Sequence, residues 1–300
     1  MEQPKIILDT DIGDDIDDAL ALAYAQLCGA KLLGVTTVFR NARRRAQMAS
    51  ALLHALGAED VPVRAGVDLP FVQPLPRWNC DAFTAENEFI PCQYLPEMQE
   101  ESVSSQHAVD FILETVAANP GEITLVPIGP LTNIGMAIRK APQVMARLRG
   151  ITLMGGCFQR PQAEWNILCD PEAAHIVFSA GIPLRAVGID LTERCRVDSS
   201  FRETLQTQTS PAAKILHGFV SGWRKNAPND EPILHDPLAV ATLFSDRFVR
   251  FSAKPIRVDL DDVRGQTLVT DSDGGTMAEI GVEVDEKAFL QDFCERLRRV

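Results

Sequence analysis

No apolar run in the 300-residue chain approaches the roughly 18 residues that a membrane-spanning helix needs, which excludes an integral helical membrane protein. Positive charge is also scarce. Lys and Arg number 29 against 41 Asp and Glu, a formal net charge of −12 and a pI near 4.9. Such a surface repels a phosphate backbone. The main basic cluster, Arg43-Arg44-Arg45, is short and falls in a helical pattern, so a nucleic acid polymer is not expected as a partner. The seven cysteines (Cys28, Cys80, Cys92, Cys157, Cys169, Cys195, Cys294) are odd in number and scattered, with no C-x-x-C pair. That argues against a disulfide framework and a zinc site, and the thiols read as reduced, several of them filling the core. The amino terminus, Met1-Glu2-Gln3-Pro4-Lys5, meets a strand pattern with no signal-peptide core, from which a soluble, cytoplasmic protein with no membrane partner is expected.

What remains is ordinary globular material, 46% hydrophobic and 23% charged, in a length that α/β proteins often fold as one domain. Buried-strand patterns at Lys5–Leu8, Leu32–Val38, Val61–Ala65, Ile123–Ile128, Ile151–Met154 and Leu184–Ile189 alternate with helical ones at Asp17–Cys28, Arg43–Leu56, Gln106–Ala118, Thr132–Lys140 and Pro171–Ser179. This βαβ series predicts an α/β fold: a single domain with an open, mainly parallel, doubly wound sheet flanked by helices. A helix begins near Asp236, and short strands and a closing helix from Asp285 follow Val249. Residues 66–105 and 222–235 are long and irregular, and such segments in a compact domain are expected to be active-site flaps.

The most informative stretch is Ile6-Ile7-Leu8-Asp9-Thr10-Asp11-Ile12-Gly13-Asp14-Asp15-Ile16-Asp17-Asp18-Ala19-Leu20. Six carboxylates within ten residues follow the first strand, at the sheet end where open α/β folds bind ligands. Like charges so close repel, and a divalent cation is the simplest neutraliser. An oxygen-only donor set favours a hard ion, calcium or magnesium. Helix capping and the macrodipole account for one or two of these aspartates, at about 0.3 to 1 kcal/mol each, but not for six.

This stretch resembles the amino-terminal signature of the inosine-uridine preferring nucleoside hydrolases. Five further segments fall in that family's order: Val35-Thr36-Thr37-Val38-Phe39-Arg40-Asn41; Leu125 through Asn133; Met154-Gly155-Gly156; Ala163-Glu164-Trp165-Asn166-Ile167 with Cys169 through Ala174; and His235-Asp236-Pro237-Leu238-Ala239. The resemblance implies an enzyme that uses a calcium-bound water to cut ribonucleosides into ribose and free base, assembled as a homodimer or homotetramer. By the same resemblance Asp11 matches the calcium ligand that takes a proton from the water. Asp18, the main-chain carbonyl of Ile128 and Asp236 match the other protein ligands. Asp17, Asn41, Glu164 and Asn166 match residues that grip the ribose with Asp236, and His235 matches a histidine that protonates the departing base.

Carboxylates and amides suit sugar hydroxyls, which donate and accept. Asn41 is equally apt as a cap for the helix that follows it. Glu164 and Asn166 flank Trp165 in alternation and are expected on one face of an extended segment. Trp165 and Trp223 are candidates to stack on the base, or simply to fill the core. The chain departs from the family in three places. Two extra residues separate Asp11 from Asp17-Asp18, leaving open whether Asp14 or Asp15 shares the ligand role. The segment Cys157 through Gln162 lacks the asparagine that binds the 5′-hydroxyl, and Trp78 to Glu97 lacks the His-Gly flap motif. Two other readings stand beside this one. A phosphatase of the haloacid dehalogenase type would use Asp9-x-Asp11 as nucleophile and acid. A calcium-dependent nucleoside or sugar binding protein would keep the ribose contacts without turnover.

Overall fold

The computed structural model describes residues 3–76, 82–85, 87–271 and 274–300. Its strands are β1 (Lys5–Thr10), β2 (Lys31–Thr37), β3 (Val63–Ala65), β4 (Ala82–Phe83), β5 (Phe89–Ile90), β6 (Ile123–Pro127), β7 (Gly150–Met154), β8 (Leu184–Val187), β9 (Val249–Val258), β10 (Thr267–Val269) and β11 (Thr276–Val284). Its α-helices are α1 (Asp17–Leu27), α2 (Ala42–Ala55), α3 (Ala108–Ala118), α4 (Thr132–Lys140), α5 (Pro142–Met145), α6 (Trp165–Cys169), α7 (Pro171–Phe178), α8 (Ile189–Thr192), α9 (Ser199–Thr207), α10 (Pro211–Arg224), α11 (His235–Ala241) and α12 (Glu286–Leu297).

Nine strands form one sheet in the order β3-β2-β1-β6-β7-β8-β11-β9-β10. Neighbours from β3 to β11 pair in parallel, and β9 and β10 close the edge antiparallel. The mainly parallel, doubly wound sheet expected from the sequence is therefore present. Strand β1 shows why both faces are covered. Its apolar run is continuous rather than alternating, as parallel strands buried on both sides require. Ile6 and Leu8 pack with α1, α2 and α11 in one core, while Ile7 packs with α3, α4 and α7 in the other. Helix α1 is buried on every side from Asp17 to Ala25, so it lies inside the molecule rather than on its surface.

After β1 the chain first adds β2 and β3 on one side, then crosses to build β6, β7 and β8 on the other. The strand order reverses between β1 and β6, and their carboxyl ends flank a crevice of the kind that holds ligands in such folds. Asp11 and Ile128 stand at those two ends. Two expectations change. The strand expected at Leu184–Ile189 stops at Val187, because Gly188 begins α8. The segment around Trp165 is helical rather than extended, because the Glu164 carboxylate caps α6. Residues 66–105 contain a small β4-β5 hairpin and a 3-10 turn at Pro96–Glu100. Among the described residues no helix is long and apolar enough to cross a membrane.

Candidate active site

The acidic turn between β1 and α1 is held from beneath by a cation. Arg45 of α2 is fully buried, and its guanidinium donates to the carbonyls of Phe39 (2.8 Å), Asp11 and Ile12 (2.9 Å) and to Asp14 Oδ2 (2.8 Å). The sequence carries a signal for it. Ala42, Arg45, Ala46, Ala49, Leu52 and Leu53 form one apolar helical stripe, and a charge inside such a stripe requires a buried partner. Among three consecutive arginines that signal is easy to miss. Asp14, one of the two aspartates whose ligand role the sequence leaves open, is thus engaged by an arginine. Asp15 Oδ1 accepts the Ile16 N–H at 2.7 Å.

Asp17 and Asp18 open α1, and Asp236 lies in the first turn of α11, which packs along it. Carboxylate oxygens of these three buried residues lie within 4.8 Å of one another, close enough to share one metal ion. Asp236 N–H donates to Asp17 Oδ2 (3.1 Å), and Thr10 Oγ1 to Asp18 Oδ1 (2.5 Å). Among the described residues no arginine or lysine forms an ion pair with any of the three. Burial, reinforced by the neighbouring carboxylates, raises all three well above the ordinary carboxylate range. Asp11 is pushed up to about 6, again by burial first, with Arg45 opposing and Asp14 adding to the rise. Glycine at 129 lets Asp11 sit against the end of β6, since a Cβ there would lie 2.6 Å from Asp11 Oδ1.

A cavity of about 370 Å³ opens above these carboxylates. Asp11, Asp17, Asp18, Asp236, the Ile128 turn, Glu164, Asn166 and His235 all line it, with Trp165, Trp223 and Ile189 supplying apolar walls. The structure therefore brings together every site residue expected from the sequence except Asn41. That residue caps α2, its Oδ1 accepting from Arg44 N–H (3.1 Å), while Nδ2 donates to Glu88 Oε1 and the Phe89 carbonyl (both 2.9 Å). It fastens the β4-β5 hairpin, and its neighbour Arg40 faces the cavity instead.

Glu164 and Asn166 are placed by the α6 turn. The Glu164 carboxylate accepts the N–H groups of Gly156 (3.0 Å), Asn166 (2.9 Å) and Ile167 (3.2 Å), yet burial still raises it to about 7. Asn166 Nδ2 donates to the Ile128 carbonyl at 2.8 Å, and a carbonyl has a second lone pair for another partner. His235 Nδ1 lies 2.6 Å from Thr192 Oγ1. Desolvation pushes the ring down to about 4, so it is neutral at pH 7. Phe39 (φ 75°) and Arg40 (φ 61°) hold the left-handed region at the end of β2. Two consecutive non-glycine residues there cost on the order of 1–3 kcal/mol each, a strain that collects at functional sites.

The fold and the site define a class: an α/β protein with a cluster of buried carboxylates suited to a metal ion at its switch point, beneath an aromatic-walled cavity lined with carboxylates and an amide. Residues 6–291 match the inosine-uridine preferring nucleoside hydrolase family. The pyrimidine-specific ribonucleoside hydrolase RihB of Escherichia coli (strain SE11) is 32% identical over 271 residues, which span 87% of this chain and 85% of that protein. Among solved structures, a plant nucleoside hydrolase, the PpNRh1 enzyme, superposes with a TM-score of 0.85 at 28% identity, covering 100% of both chains. The purine-preferring ribonucleoside hydrolase from Gardnerella vaginalis gives 0.81 at 26% identity over 98% of each. The chain belongs to the inosine-uridine preferring nucleoside hydrolase family. It is a ribonucleoside hydrolase, an N-glycosidase, and the haloacid dehalogenase reading falls away.

Proposed function

We propose that the enzyme works with calcium, held by Asp11, Asp18, Asp236 and the Ile128 carbonyl. The observation that carries this is the buried trio Asp17, Asp18 and Asp236, whose oxygens crowd within 4.8 Å and form no ion pair with an arginine or lysine among the described residues. Three desolvated carboxylates, with only the more distant Arg45 acting on Asp18, fit a hard divalent ion. When bound, calcium supplies a water of lowered pKa and fixes the sugar hydroxyls near it. Asp14 is paired with Arg45 and Asp15 accepts the Ile16 N–H, so neither is assigned a ligand role.

Asp11 lines the cavity beside the other proposed ligands, and its carboxylate is assigned as the acceptor for the water proton. Asp17 has one oxygen engaged by the Asp236 N–H and offers the other to a ribose hydroxyl. Asn166 and Glu164 are assigned to the remaining hydroxyls, and Asn41 to holding the hairpin rather than the sugar. The transition state of N-glycoside cleavage has oxocarbenium character, which the surrounding carboxylates favour. The base is assigned to the space between Trp165, Trp223 and Ile189, within reach of His235. The described parts of segments 66–105 and 222–235 are assigned as flaps: Cys92 from the first, and Trp223 at the end of α10 with Asn226 after it from the second, line the cavity.

The test is a panel of purine and pyrimidine ribonucleosides incubated with purified enzyme, with and without chelator, and free base separated by chromatography. Base release that stops with chelator and returns with calcium is expected. Release indifferent to chelator would overturn the metal assignment, and no release from any ribonucleoside would overturn the substrate assignment.

A further inference from the structure

His235 is fixed by a hydroxyl that none of the sequence motifs includes. Thr192 ends α8, fully buried, and its backbone N–H closes that short helix on the Gly188 carbonyl at 3.2 Å. The following residues run beside the approach to α11. Val197 N–H donates to the Pro232 carbonyl (3.0 Å), and Leu234 N–H to that of Cys195 (2.8 Å). These bonds register residue 192 against residue 235, bringing Thr192 Oγ1 to 2.6 Å from His235 Nδ1.

The direction of that bond follows from what each atom has left to do. A hydroxyl is both donor and acceptor, and a buried donor left without an acceptor costs about 1–3 kcal/mol. The ring nitrogen is the one side-chain or backbone acceptor recorded for the Thr192 hydroxyl among the described residues. Were Nδ1 to donate, the Thr192 hydrogen would be stranded. With Thr192 donating, Nδ1 accepts, and the ring hydrogen must sit on Nε2. No hydrogen bond from a described residue reaches Nε2, and His235 lines the cavity. We propose that Thr192 is a positioning residue: its hydroxyl holds His235 in the Nε2–H tautomer and aims that N–H at the base, where it hydrogen-bonds an acceptor nitrogen or oxygen as the glycosidic bond breaks.

This rests on the assignment of His235 to the leaving base. A second-sphere partner of this kind typically alters a site's performance about 10-fold to 100-fold when removed. Thr192→Val removes the hydroxyl and keeps the shape, whereas Thr192→Ser keeps the hydroxyl. Turnover of uridine and inosine should fall about 10-fold or more in Thr192→Val, be largely rescued in Thr192→Ser, and be little changed on p-nitrophenyl riboside, whose leaving group needs no proton. In a His235→Ala background, Thr192→Val should add nothing. Equal slowing of nucleosides and p-nitrophenyl riboside, or further slowing in that background, overturns the proposal.

A readout that does not depend on turnover separates this inference from the functional reading. The chain has 5 histidines, so the ¹⁵N ring signals of His235 can be assigned by its substitution. Nε2 is expected to carry the hydrogen in the wild type and to lose that exclusive preference in Thr192→Val. A wild-type ring protonated at Nδ1 refutes the role of Thr192, whether or not ribonucleosides are cleaved.

Discussion

Arg45→Met tests whether the acidic turn is built by its buried counter-cation. Methionine keeps much of the arginine stem's volume but removes every donor. Three main-chain carbonyls, of Phe39, Asp11 and Ile12, then lose a charged partner, together with Asp14 Oδ2. Each hydrogen bond to a charged group is worth about 1.5–3 kcal/mol, but the four share one guanidinium and do not add. The Asp14 side chain is 35% exposed, so the freed carboxylate hydrates and its share must be discounted. The expected loss is therefore about 3 kcal/mol, the lower end of what breaking a buried ion pair costs. At an unfolding entropy of about 2.1 cal/mol/K per residue, a chain of 300 residues should lose about 5 °C in melting temperature.

The measurement is thermal unfolding in chelator, so that no bound ion contributes, followed by a calcium isotherm on the same protein. Because Arg45 holds the Asp11 main chain, the isotherm should also weaken. Asp14→Asn, which keeps an acceptor at a partly hydrated position, should cost less than about 1 kcal/mol. A melting temperature for Arg45→Met within about 1 °C of the wild type, with calcium affinity unchanged, refutes the reasoning.

The parts legible in the sequence were those governed by local pattern. Strand β1 reads as buried on both faces because Ile6, Ile7 and Leu8 run without a polar break, and the sheet's parallel order follows from strands alternating with helices. The crowd of six aspartates from the end of β1 into α1 pointed to a cation because no local arrangement satisfies so many such charges. What was not legible depended on contacts between distant residues or on local competition. Asp17 joining Asp18 and Asp236 needs α1 and α11 to be neighbours, although 219 residues separate Asp17 from Asp236. The alternation of Glu164 and Asn166 suggested an extended segment, but the Glu164 carboxylate reaches three N–H groups at once and starts a helix. Asn41 is suited both to ribose and to capping, and composition cannot rank two good uses of one amide. The structure spends it on the cap and the hairpin.

Asp11→Asn should keep the fold and lower turnover of every nucleoside, by about 10²-fold to 10⁴-fold, as removal of a general base does; steady-state kinetics at saturating calcium checks this, and retention of more than about a tenth of wild-type turnover sinks the assignment. The last expectation concerns calcium and pH, and its sign follows from the raised carboxylates. Asp11 moves from 3.8 to about 6 on folding, and Asp17, Asp18 and Asp236 move up with it, burial being the main cause in each. Across that window the folded, metal-free protein holds protons that the unfolded chain has released, so these groups weaken the fold as pH rises from about 4 through 6 and beyond. Bound calcium replaces those protons and removes the repulsion. The difference in melting temperature between calcium and chelator cancels the other titrating groups. It should be small near pH 4.5 and grow steadily toward pH 7.5 as roughly four carboxylates surrender protons. A calcium increment that is flat over this range, or largest at the acid end, would mean that the ion binds somewhere other than this buried cluster.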